Sequence, residues 1–131
     1  DVDEAVQLVE VATDAPLDAR QLKRLALRAA AGLARTGSVY GHGSGDIALA
    51  FSTAYTLPHL AETPMPQVAM VHETLMDGLF VAAADAVEQA IVHALWHAEP
   101  VQGRNGHSRP CIRELLSRLR APAVASPDSR S

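Results

Sequence analysis

Only two stretches of this chain read as β-strands, and an isolated pair of strands is marginal in water. The first, "VQLVEVAT" at 6–13, puts Val6, Leu8 and Glu10 on one face and Gln7, Val9 and Val11 on the other. Its length and β-branched content predict a strand buried on both faces. In the second, "DIALAFSTAY" at 46–55, Ile47, Leu49 and Phe51 alternate with Ala48 and Ala50, so small residues line its second face. Each strand is followed by an amphipathic helical pattern. Strand–helix–strand–helix is an α/β arrangement, and its sheet has to be completed by another polypeptide or by a further part of the same one.

The helical segments are bounded by recognisable chemistry. "DAPLD" at 14–18 is a turn, with Asp18 as N-cap and Gln21 three residues on, the spacing of a capping box. Leu22, Leu25, Ala29 and Leu33 then fall at helical spacing up to Arg35, and Gly37 is placed to end the helix as its C′ residue. "TLPHLAETPMPQ" at 56–67 carries three prolines and reads as a loop. A long helix is predicted over 73–98, with Met76, Phe80, Ala84, Val87, Ile91 and Leu95 on one stripe, widened by Leu75, Leu79 and Ala83. After the turn-rich "PVQGRNGHSRP" comes a short helix over 111–120. The tail 121–131 has no periodicity and reads as disordered, which leaves 1–120 as the folded part.

Composition removes several function classes. The net charge is −4, and the basic residues Lys23, Arg24, Arg28 and Arg35 have the spacing of a solvated helix face, so a nucleic-acid surface is not expected. No apolar run is read as long enough to span a membrane, no signal peptide is visible, and the chain reads as cytoplasmic. Cys111 is the sole cysteine, which excludes an intrachain disulfide and a cysteine metal cage. His93 and His97 are four apart on the long helix, but "HALWH" lacks the glutamate of a zinc-peptidase helix and no third ligand is in register. No metal and no organic cofactor is expected.

The densest chemistry lies in "GSVYGHGSGD" at 37–46. Its glycines allow positive φ and close approach of a ligand or a second backbone. Ser44 and Asp46 are two apart, so in an extended segment their side chains share one side. A hydroxyl and a carboxylate so placed can hold an ammonium, orient a nucleophile or share a proton. His42 stands inside the loop, and His42, Gly43 and Gly45 are the candidate substrate contacts. The plainer reading is a turn before a strand. A phosphate loop is disfavoured, because no Gly-Lys-Ser/Thr is present and a strand follows.

The runs "VATDAPLDARQLKRLALRAAAGLARTGS" and "GSGDIALAFSTA" closely resemble the β chain of the DmpA-type L-aminopeptidase/D-esterase peptidase family, and the long helix followed by "GRNGH" resembles its C-terminal part. The resemblance covers about Leu8 to Pro110. It implies one half of an αββα sandwich, made by a precursor that cuts itself into α and β chains. The new N-terminal Ser or Thr of the β chain is then the nucleophile, and its own amino group the base. Ser44 and Asp46 match the hydroxyl and carboxylate beside that terminus. The substrates implied are small peptides or amino-acid amides, the partner is the α chain, and a homo-oligomer is expected.

The chain departs from the family pattern at one position. The nucleophile's place, five residues before Val11, is taken by Val6, and residues 1–12 contain no Ser, Thr or Cys. Three accounts stay open: a homologue that binds or assembles without turnover, an N-terminal segment foreign to the family's β chain, or a nucleophile in a partner chain. Among the remaining residues, Asp14 reads as a turn cap, His72 and Glu73 as helix-terminus chemistry and Gly103–His107 as a tight connection. Trp96 reads as a cover for core or interface, and Cys111 as a small apolar filler.

Overall fold

The computed structural model describes residues 6–43, 45–60, 64 and 67–120. Ser44 and the tail 121–131 lie outside the described residues. The chain divides into two compact units, 1–91 and 92–131.

In the first unit β1 (Val6–Thr13) and β2 (Gly45–Ser52) pair in parallel, from Val6 opposite Gly45 to Thr13 opposite Ser52. Parallel neighbours need a crossover, and the helical segment between them supplies it. It was expected as one helix to Arg35; it is two, α1 (Ala19–Ala26) and α2 (Ala29–Arg35). At the join, Arg28 N–H bonds to the Leu25 carbonyl three residues back, while Leu27 and Arg28 keep helical φ with ψ of −19° and −15°. A turn tightened to i→i−3 bonding redirects the axis without a proline or glycine. Asp18 caps α1 as expected: its carboxylate accepts from Gln21 N–H at 2.6 Å, and Gln21 Oε1 accepts from Asp18 N–H at 3.2 Å. Gly37, at φ +96°, closes α2.

A one-turn 3₁₀ segment (Glu73–Leu75) leads into α3 (Met76–His97). The core joins Leu17 and Leu25 to Met76, Phe80 and Ala83, with Val11 and Ala50 packed on it from the strands. Burying an aliphatic or aromatic side chain of this kind contributes about 1.5–3 kcal/mol. Gln21, fully buried, donates to Val71 O at 2.7 Å and to Glu73 Oε1 at 3.1 Å. Glu73 also pairs with Arg20 and Arg24, and Arg28 stacks 4.0 Å over the Phe80 ring. α2 meets α3 at Gly32, where a Cβ would stand 2.5 Å from Ala84 O. Arg35 reaches Asp85 at 2.5 Å.

Two expectations are corrected here. The first strand is not buried on both faces. Val9, Val11, Ala50 and Ser52 face the helices and are half-buried, whereas Leu8, Ile47, Leu49 and Phe51 are 67, 60, 54 and 42% exposed. The helices cover one side of the sheet, and no described residue covers the other. The second concerns the apolar helix: Glu73–His97 is, by length and composition, long and apolar enough to cross a membrane. The scattered acidic residues hide this in the sequence. Its Met76, Phe80, Ala83, Ala84 and Val87 are nonetheless the helix side of the core. Leu75 and Leu95, expected on or beside the buried stripe, are 67% and 49% exposed.

The second unit holds the end of α3, a short hairpin of β3 (Val101–Gln102) and β4 (Ser108–Arg109), and α4 (Ile112–Arg120). Asn105 and Gly106 take φ of 59° and 76°, and Gly103 N–H bonds His107 O at 2.7 Å, the tight connection expected of "GRNGH". Cys111 is buried at the start of α4, whose Leu115 N–H bonds its carbonyl.

Candidate active site

The parallel register decides which residues meet. Val6, at the position the resemblance assigns to a nucleophile, lies opposite Gly45, and Gln7 lies opposite Asp46. The start of β1 and the end of the glycine loop are therefore neighbours across one ladder, about 4.8 Å apart. β1 enters "VATDAPL" and β2 enters "AFSTA", so two segments some forty residues apart deliver their N-terminal ends to one place.

Asp46 is half-buried on the helix-facing side of the sheet, the side shared by Gln7 and Val9. It borders a cavity of about 330 Å³ between the strands and the crossover helices. Val9, Ala48, Leu27 and Leu33 form apolar walls, and Lys23, Tyr40 and Asp46 bring the polar groups. Burial, and then the negative charge of Asp46, push the Tyr40 phenol above its ordinary value. Tyr40 holds φ at +52°, uncommon for a residue with a Cβ and a conformation that tends to gather at functional sites. Gln7 has a buried carboxamide oxygen with no hydrogen-bond partner among the described residues. An unmet buried acceptor costs about 1–3 kcal/mol.

Of the residues singled out from sequence, Asp46 and Gly45 stand at the start of β2 beside position 6. Gly43 is half-buried just before it, His42 is exposed, and Ser44 lies outside the described residues. Lys23, Tyr40 and Gln7 were not singled out as site residues. Gln7 had left a trace, as an amide on a strand face otherwise given to valines. Tyr40 had too, as an aromatic in a glycine loop of a chain with only 4% aromatics.

The other candidates resolve into structure. The turn after β1 is closed by Thr13, whose hydroxyl accepts from Ala15 N–H at 3.1 Å, so the capping role falls to Thr13 and Asp14 stays exposed. His72 caps the segment before α3 through Nδ1 and Thr74 N–H, as its position suggested. His93 and His97 meet edge to face with ring centroids 6.3 Å apart, and no group of three metal-ligating side chains exists among the described residues.

Comparison with known proteins shows the family to which the chain belongs. The family model for peptidase family S58 matches residues 4–109. The β-peptidyl aminopeptidase BapA of Sphingosinicella xenopeptidilytica is 42% identical over 101 residues, covering 75% of this chain and 25% of that protein. The crystal structure of the PH0078 protein from Pyrococcus horikoshii OT3 superposes with a TM-score of 0.73 at 45% identity, covering 81% of this chain and 30% of that one. The L-aminopeptidase D-Ala-esterase/amidase of Ochrobactrum anthropi, described as a variant among the Ntn hydrolase fold, gives 0.73 at 38% identity, covering 85% and 33%. This chain thus spans about a quarter to a third of the length of these relatives. With the family model matching residues 4–109, most of its length, the chain belongs to peptidase family S58.

Proposed function

We propose that residues 1–120 are the β-chain half of a self-processing, N-terminal-nucleophile aminopeptidase or amidase that acts on small peptides or amino-acid amides. The observation that carries this reading is the register that sets position 6 against Gly45 and Gln7 against Asp46. In this account Asp46 orients the amine at the start of β1, which takes the proton of the attacking hydroxyl, and Ser44 relays that proton to the leaving amine. Val6 carries no hydroxyl; one introduced there by Val6→Ser adds through its oxygen to the substrate carbonyl, the amine leaves with the proton, and water then releases the acid. The α part of the same protein supplies the remaining wall of the site. It also lays a second sheet on Leu8, Ile47, Leu49 and Phe51, completing an αββα sandwich in a homo-oligomer.

Val6 supports a second reading, a non-catalytic homologue that binds or assembles with the same surfaces, since valine carries neither a nucleophilic atom nor a proton to give. Val6→Ser in the full-length protein separates the two. Hydrolysis of L-alaninamide or β-alaninamide gained by Val6→Ser, and lost again in Val6→Ser/Asp46→Asn, is the result expected of a latent peptidase. A correctly folded Val6→Ser protein without activity leaves the non-catalytic reading in place.

A further inference from the structure

The end of α3 carries two imidazoles to which the peptidase reading gives no task. His93 and His97 stand one turn apart on that helix, and both are exposed. Residues four apart share one helix face, one side chain above the other. Accordingly the two rings meet edge to face, with centroids 6.3 Å apart and planes at 81°. Neither ring has any further partner among the described residues. By contrast, the His72 ring is engaged with Thr74 through Nδ1, and the Arg113 guanidinium donates to Ala98 O at 3.4 Å rather than lying on either histidine.

An uncommitted imidazole nitrogen is the commonest protein ligand for a metal ion. Two of them at i and i+4 are the arrangement by which one helix face holds one ion. A shared ion about 2.0–2.1 Å from each nitrogen brings the ring centroids to roughly 5 Å, so the rings have roughly 1 Å to close. Exposed side chains make such rotations freely. The pair also spans the last turn of α3, whose outward carbonyls form the negative end of the helix and favour a cation. A structural or catalytic zinc centre takes three or four protein ligands, and no third His, Cys, Asp or Glu joins this pair among the described residues. Two imidazoles with water completing the shell suit the divalent ion that gains most from nitrogen donors, which is copper, ahead of nickel and zinc. We propose that His93 and His97 form a two-imidazole surface site for a divalent transition-metal ion, Cu(II) before Ni(II) or Zn(II). The ion takes no part in the proposed hydrolysis, so the site stands whether or not the peptidase reading does.

The chain's sole tryptophan, Trp96, lies between the two histidines in sequence and is 51% exposed, so a Cu(II) ion held there quenches its emission. The test titrates the full-length protein with CuCl2, NiCl2 and ZnCl2, read by calorimetry and by tryptophan fluorescence. Cu(II) is expected to bind about tenfold or more tighter than Ni(II) or Zn(II). His93→Ala and His97→Ala should each weaken Cu(II) binding about tenfold or more, and the double variant no further, because a chelate is lost with its first ring. Alanine favours helix at both exposed positions, so the variants retain α3, which circular dichroism verifies. Trp96→Phe should keep the affinity and lose the copper-dependent quenching. Unchanged Cu(II) affinity in either single variant, losses that add in the double variant, or quenching undiminished in Trp96→Phe would overturn the proposal. A preference for Zn(II) would overturn it as well, since that order belongs to a closed tetrahedral shell.

Discussion

Asp46 is the residue whose charge the proposed reaction needs, and asparagine there keeps its shape while removing that charge. In a Val6→Ser background, Asp46→Asn is predicted to lower kcat/KM by about 10²-fold or more, the usual worth of a positioned proton-transfer group. Steady-state hydrolysis of β-alaninamide reads it. Gly37 is a different case: nothing lies within 4 Å of where its Cβ would be, so Gly37→Ala pays only for holding alanine at φ +96°. The loss should be about 1 kcal/mol in denaturant titration. Single residues were unevenly legible in the sequence. Asp18, Gln21 and Gly37 act within a few residues of themselves, so local spacing revealed them. Tyr40 and Lys23 gain their meaning only when the strands and helices close around one cavity, and no local pattern encodes that.

Elements succeed or fail here by how closely they approach. Gly32 allows α2 to lie on α3, and an added methyl would meet Ala84 O at 2.5 Å and Val87 Cβ at 2.8 Å. Gly32→Ala is therefore predicted to cost about 1–3 kcal/mol by forcing the helices apart, as a lowered urea midpoint. Beside the apolar core of Leu25, Met76 and Phe80, α1 is also tied by charge to Glu73, just before α3. Hydrogen bonds from Arg20 and Gln21, with the charges of Arg20 and Arg24, hold the Glu73 carboxyl below its ordinary value of 4.5. A carboxyl depressed in the folded state stabilises above its unfolded value, and that stability is lost as pH falls through the folded value. The wild type should thus lose stability on acidification below about pH 4.5, and Glu73→Gln should be weaker at neutral pH with a shallower acid limb. Thermal melts across pH 3–7 measure both. Periodicity located every long element but missed the break at Leu27–Arg28. Both residues keep helical φ, and the break consists of roughly 25° of ψ and one i→i−3 hydrogen bond.

The first unit is open on one side of its sheet. One side of its two-stranded sheet carries the core, and the other presents Leu8, Ile47, Leu49 and Phe51. Exposed apolar patches of this kind mark surfaces made to be covered. If a second sheet lies there, Leu49→Asp should make the isolated 131-residue chain less prone to self-associate and should impair assembly of the full-length protein. Size-exclusion chromatography of both forms compares the two effects. The two-strand count foretold this openness, because alternating apolar residues on both faces of so small a sheet need more polypeptide than the chain contains. A sandwich is not legible from these residues, because no local pattern says what lies on the open face.

The central claim is that the start of β1, facing Gly45 and Asp46, is the cleavage and nucleophile position of an S58 peptidase. Intact mass with N-terminal sequencing of the full-length Val6→Ser protein tests it most directly. The account predicts two chains, the second beginning with the introduced serine at position 6. A single uncut chain, folded by circular dichroism, would contradict it.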